Sequence, residues 1–221
     1  MAAQVQRRGA LIAIDGTRGK DLRAAAAALF EALRTCHGES AISRFDASGL
    51  FGELAAGQGD PHISARTLTL VYAADLAFRL RWEIRPVLES GGIVIAAPYT
   101  ETAVAWGAAA GLEEDWIREL LRFAPKPDYR AWATERKMDR GWKPGFERGY
   151  AEYCAAMLKT SAPKGRWKHL RRDAVALLHR PKGRKIYRLS DDGAAELAKA
   201  VTGNREGARR RSASTPRSAR R

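Results

Sequence analysis

The chain has 221 residues, 45% of them apolar, and a formal net charge of +14. That length suits one sizeable α/β domain, or one domain with a small appendage. Two cysteines (Cys36 and Cys154) and four scattered histidines exclude a disulfide framework and a His/Cys metal motif, and no apolar run approaches bilayer length. The expectation is a cytoplasmic protein with reduced thiols.

Ala10–Ile14 is a continuous apolar run that opens onto Asp15-Gly16-Thr17-Arg18-Gly19-Lys20. Such a run, ended by glycine, suits a strand buried on both faces of a parallel sheet. Asp21–Arg34 is Ala- and Leu-rich at helical spacing, with Asp21 placed to cap its start. Ala41–Asp60 reads as loops around a short strand. Ser64–Ser90 has the pattern of one long helix, which Pro86 bends or in which it marks a turn. Ile93–Ala97 is a second buried-strand candidate. Thr100–Ala110 and Leu112–Phe123 read as helices broken at Gly111, and Pro125-Lys126-Pro127 is a break.

Helices follow at Gly145–Lys159 and Trp167–His179, then a short strand at Lys185–Leu189 and a final helix at Asp192–Val201. Strands alternating with helices predict a three-layer α/β fold, a parallel sheet flanked by helices. Residues 1–163 form the main domain. Residues 164–203 are a basic helical C-terminal segment of the same domain, and 204–221 an Arg-rich tail too poor in apolar residues to order.

The charge is concentrated at the C-terminal end. Lys164–Arg188 holds ten Lys/Arg against one Asp, and Arg205–Arg221 seven Arg against one Glu. The remainder is near neutral, which argues against a general polyanion binder. In Lys164–Arg188 the cations are interleaved with Trp167, His169 and Tyr187, a mixture suited to phosphate contacts and base stacking, or to a plain solvated face. Ile186–Leu197 also resembles the wing-to-helix passage of winged-helix DNA binders.

Gly16-Thr17-Arg18-Gly19-Lys20, between strand and helix, is the candidate phosphate loop. Glycine lets backbone amides converge on a phosphate, and the helix N-terminus adds a favourable dipole. Gly16, Arg18, Gly19 and Lys20 are the expected nucleotide-phosphate ligands, with Asp21 as the Mg²⁺ ligand. The full motif separates its glycines by four residues and follows its lysine with Ser or Thr. Here two residues separate Gly16 from Gly19, and Asp21 follows Lys20. The alternative is a strand–helix turn with a capping Asp.

A longer series of motifs resembles the thymidylate kinase family over most of residues 9–160. Ala10–Gly19 matches the strand and first turn of E-G-x-D-G-x-G-K-[ST]. Leu70–Asp75 looks like L-x-[FY]-A-A-D-R, Arg85–Leu88 like K-P-A-L, and Ser90–Ile95 like the G-x-x-V-I strand. Tyr99 with Thr100–Trp106 resembles D-R-Y-x-x-S-x-x-A-Y-Q. Leu112–Trp116 resembles L-x-x-x-W, Pro127-Asp128 the P-D pair, and Phe146–Tyr150 the helix ending in G-Y.

The resemblance implies a P-loop NTPase fold, ATP and Mg²⁺ as cofactors, and phosphorylation of a dTMP-like nucleoside monophosphate. It also implies an acceptor site near Tyr72, Arg79, Tyr99 and Trp106, lid arginines at Arg136 and Arg140, and a homodimer. The departures fall on the chemistry. Ala97 and Pro98 stand where the family has D-R, Gly107 where Gln reads the base, and Leu76 where an Arg follows A-A-D. The loop is either shortened with Lys20 kept, or uncut with Leu22 at the lysine position. Arg130–Ala133 is a poor substitute for the strand that follows P-D. This pattern predicts a nucleotide-binding relative with weak or lost kinase activity. The alternative is a non-catalytic module that binds nucleic acid or protein through its basic C-terminal third.

Overall fold

A computed structural model describes residues 9–34, 39–56, 63–134, 148–160, 167–180, 185–189 and 191–213. Five strands make one all-parallel sheet, in the order β2 (Ser40–Arg44), β3 (Ile93–Ala97), β1 (Ala10–Asp15), β4 (Tyr129–Ala133), β5 (Ile186–Leu189). Every residue of β1 and β3 is buried, because central strands of a parallel sheet are covered on both faces.

Helix α1 (Gly19–Arg34) packs on β1 to β4 beside α9 (Asp191–Ala213). On the other face α5 (Thr100–Ala109) packs on β1, flanked by α3 (Ala65–Arg79) and α8 (Trp167–Leu178). Right-handed crossovers impose this division: the step from β1 to β2 runs opposite to the later steps, so its helix lies on the opposite face. Helix α6 (Glu114–Leu120) follows α5, and α7 (Arg148–Thr160) packs against α1, α3 and α8.

The structure departs from the sequence reading in five places. Residues 41–60 hold a helix, α2 (Leu50–Ala56), whose start is capped by Asp46: its carboxylate accepts from the Phe51 and Gly52 amides at 2.9 and 3.0 Å. Helix α1 begins at Gly19, two residues early. The Ser64–Ser90 helix is continuous through Pro86 because a π-helical turn, Leu80–Ile84, lies between α3 and α4 (Arg85–Glu89). The Arg85 amide there donates to the Leu80 carbonyl, a wide turn that relieves the clash a proline ring makes with the preceding turn.

Tyr129–Ala133, with its unpromising Arg and Trp, is a central strand paired to both β1 and β5. Finally, α9 continues past Val201 to Ala213, through Ala, Arg and Glu but also through Gly203 and Gly207. The passage that resembled a winged helix holds β5 parallel to β4 in the main sheet. No helix among the described residues is long and apolar enough to cross a membrane.

Candidate functional site

Strand β1 ends at Asp15 and α1 starts at Gly19, so three residues, Gly16-Thr17-Arg18, make the turn. Leu22 is buried in the core on α1, while Lys20 is half-buried in its first turn. This is the geometry of the shortened loop.

The turn is tied down from both sides. The Gly16 amide donates to Thr102 Oγ1 at 3.1 Å. The Gly16 carbonyl accepts from the Tyr150 hydroxyl at 2.6 Å, and the Cys154 thiol lies 3.7 Å from the Thr17 carbonyl as donor. A Cβ on Gly16 would stand 3.0 Å from the Ala133 methyl, so strand β4 presses on the turn as well. Gly16, Thr17 and Gly19 are buried. A phosphate cradle needs several convergent amides facing solvent; here one of them serves α5 and the turn is packed under α7.

Asp15 is the hub of this closure. Its Oδ1 accepts from the Tyr99 amide (3.0 Å), the Thr102 amide (2.9 Å) and the Thr102 hydroxyl (2.8 Å). Tyr99 is the N-cap position of α5 and its side chain makes no cap bond. A carboxylate from β1 therefore satisfies the helix-start amides that a local cap would otherwise serve. Burial pushes Asp15 up to about 6, with the Thr102 hydrogen bond opposing and Glu101 reinforcing the rise.

The four acceptor-site residues do come together, but inside the core. Tyr72, Arg79 and Trp106 are 0% exposed and Tyr99 is 1% exposed. The Tyr72 hydroxyl donates to the Tyr99 carbonyl at 2.6 Å, and the Tyr99 hydroxyl to the Pro125 carbonyl at 2.8 Å. Arg79 donates to Ser43 Oγ, the Ser43 carbonyl and the Pro98 carbonyl, and lies 3.7 Å from Asp75. It staples the ends of β2 and β3 to α3. Trp106 Nε1 donates to the Tyr150 hydroxyl at 3.1 Å.

Above them Phe45 stacks on Tyr72 at a centroid distance of 5.2 Å, and Phe51, Tyr150 and Tyr153 complete a cluster of aromatic rings. Sequence reasoning missed Phe45, Phe51 and Tyr153; the first two lie in a segment without periodic pattern. Thr102 could have been found, since it stands at the Ser of the family's D-R-Y-x-x-S segment.

The other expected ligands stand apart. Asp21 is buried and faces Arg18 at 3.5 Å, an ion pair from the turn to the first turn of α1. Among the described residues no cluster of three or more His, Cys, Asp or Glu is disposed to hold a metal ion. Arg136 and Arg140 lie outside the described residues. Gly107, at the position of the family's base-reading Gln, has no room for a side chain: a Cβ would come within 2.6 Å of Ile117 Cδ1.

No protein-family model matches the chain. It is similar to three proteins named "Probable thymidylate kinase". That of Pyrobaculum aerophilum is 36% identical over 75 residues, 34% of this chain and 37% of that protein. That of Thermococcus gammatolerans is 41% identical over 66 residues, 30% and 32% of the two chains. That of Pyrobaculum calidifontis is 30% identical over 122 residues, 52% and 59%. The matches thus span from about a third to under two thirds of these relatives' length. Together with the strand–turn–helix opening, the ordered motif series and the parallel sheet, these partial matches support a relationship to the thymidylate kinases.

Proposed function

We propose that this protein is a non-catalytic relative of the nucleotide kinases, which keeps their scaffold and has lost most or all phosphoryl transfer. One observation carries this reading: the β1–α1 turn is three residues long and bonded to Thr102, Tyr150 and Cys154. The family resemblance implies ATP and Mg²⁺, but the residues present do not fit a triphosphate. The Gly16 amide is engaged, Asp21 faces Arg18, and Ala97-Pro98 offers neither the acid nor the arginine of the D-R pair. Phosphoryl transfer depends on positioning and electrostatics, and loss of one arginine can cost about 10³-fold or more.

The test is release of ADP from ATP–Mg²⁺ with dTMP as acceptor. Turnover at or below the buffer rate is expected. A rate of about 1 s⁻¹ or more, in the range of active kinases, would refute the proposal.

The homodimer that the resemblance implies we place on α3 and the π-turn, where Leu70 (47% exposed), Ala74, Phe78 (39%) and Trp82 (65%) form one outward stripe. Trp82→Asp then shifts the mass seen by light scattering from two chains to one. Contact with nucleic acid, if the basic C-terminal third serves it, falls on the exposed Arg171, Arg172 and Arg188. Such binding weakens steeply with salt.

A further inference from the structure

A concavity lies away from the turn, between α5, α6 and β4, with a volume of about 390 Å³. Arg130 lies in its wall. As a β4 residue it is registered against Ala13 of β1, in the middle of the sheet. A cation at that depth needs a counter-charge. Glu101, in the first turn of α5, supplies it at 2.7 Å and is met from the other side by Arg118 of α6 at 3.3 Å.

The lining therefore carries Arg118, Lys126 and Arg130 against the single carboxylate of Glu101. Glu114, outside the lining, shares Arg118 at 2.6 Å but is itself approached by Arg180 at 3.7 Å, so the local surplus stays at two positive charges. Apart from Thr100, the rest of the wall is apolar, with Val104, Leu121 and the rings of Pro125 and Pro127.

We propose that this cavity binds a phosphate monoester with a compact apolar body. Two surplus charges match a phosphate dianion, which the exposed Lys126 can meet directly, while Arg118, bonded through Nε and Nη2 to Glu114 and through Nη1 and Nη2 to Glu101, adds its charge. The apolar wall takes the organic part. The volume falls within the roughly 300–1,000 Å³ typical of small-molecule sites. This site is separate from the closed turn, and its existence does not depend on the fate of the kinase reaction.

The test is calorimetric titration of the full chain with phenyl phosphate, beside inorganic phosphate. Saturable binding of phenyl phosphate is expected, tighter than inorganic phosphate by about tenfold from burial of one ring. Arg118→Gln and Lys126→Gln, both at solvent-accessible positions, each weaken it by about threefold to tenfold. Lys20→Ala, at the β1–α1 turn, leaves it unchanged. The proposal is overturned by absence of saturation, by equal affinity for the two phosphates, by indifference to both cavity substitutions, or by loss of binding in Lys20→Ala.

Discussion

Replacing Tyr150 with Phe removes one oxygen and tests how firmly the turn is held. That hydroxyl donates to the Gly16 carbonyl at 2.6 Å and accepts from Trp106 Nε1 at 3.1 Å, and all three groups are buried. The ring itself stays in place against Phe45 and Tyr153, so packing loss is small. Two buried polar groups are left without their partner, at about 1–3 kcal/mol each. The expected destabilisation is therefore about 2–6 kcal/mol, a fall of about 4–24 °C in Tm for a chain of this size. Urea denaturation followed by tryptophan fluorescence gives the value, with an unchanged m-value confirming that unfolding is still two-state. A loss under about 0.5 kcal/mol, the range of surface substitutions, would refute the tethering described here.

Asp15 gives a pH signature. Its folded pKa of about 6 lies above the ordinary Asp value of 3.8, so the native state binds the proton more tightly than the unfolded one. Its contribution is fully present below pH 4 and is lost as pH rises through 6, by about 3 kcal/mol at about 1.4 kcal/mol per unit. In Asp15→Asn this segment of the stability–pH curve flattens; an unaltered slope there excludes Asp15 as its source. Gly107→Ala forces a methyl to within 2.6 Å of Ile117 Cδ1, and overpacking of that kind costs about 1–3 kcal/mol. A variant as stable as the parent by thermal melting would show that Ile117 yields freely.

Much of the fold is legible because it follows from local pattern. The runs Ala10–Ile14 and Ile93–Ala97 announce the two central strands, and Gly111, at a φ of +94°, ends the α5 region as its glycine suggests. Strand β4 is not legible, because Arg130 belongs in a buried strand only once Glu101 is beside it, and Glu101 arrives through α5. Helix α2 is hidden for a similar reason, since its seven residues hold little pattern and Asp46 caps it from outside.

The candidate site divides in the same way. Its glycines, Lys20 and Asp21 are visible at once in the sequence. Its closure is not, because Thr102, Tyr150 and Cys154 are 86, 134 and 137 residues from the atoms they hold. Tyr72, Arg79, Tyr99 and Trp106 meet in space, but their burial depends on Phe45, Phe51 and Tyr153, which no motif marks.

Titration calorimetry of the full chain with ATP–Mg²⁺, and then with dTMP, examines the closed turn itself. No saturable heat is expected at ligand concentrations up to about 1 mM, which corresponds to binding weaker than about −4 kcal/mol. A micromolar dissociation constant for ATP that Lys20→Ala abolishes would contradict the account, since the turn would then be receiving phosphate.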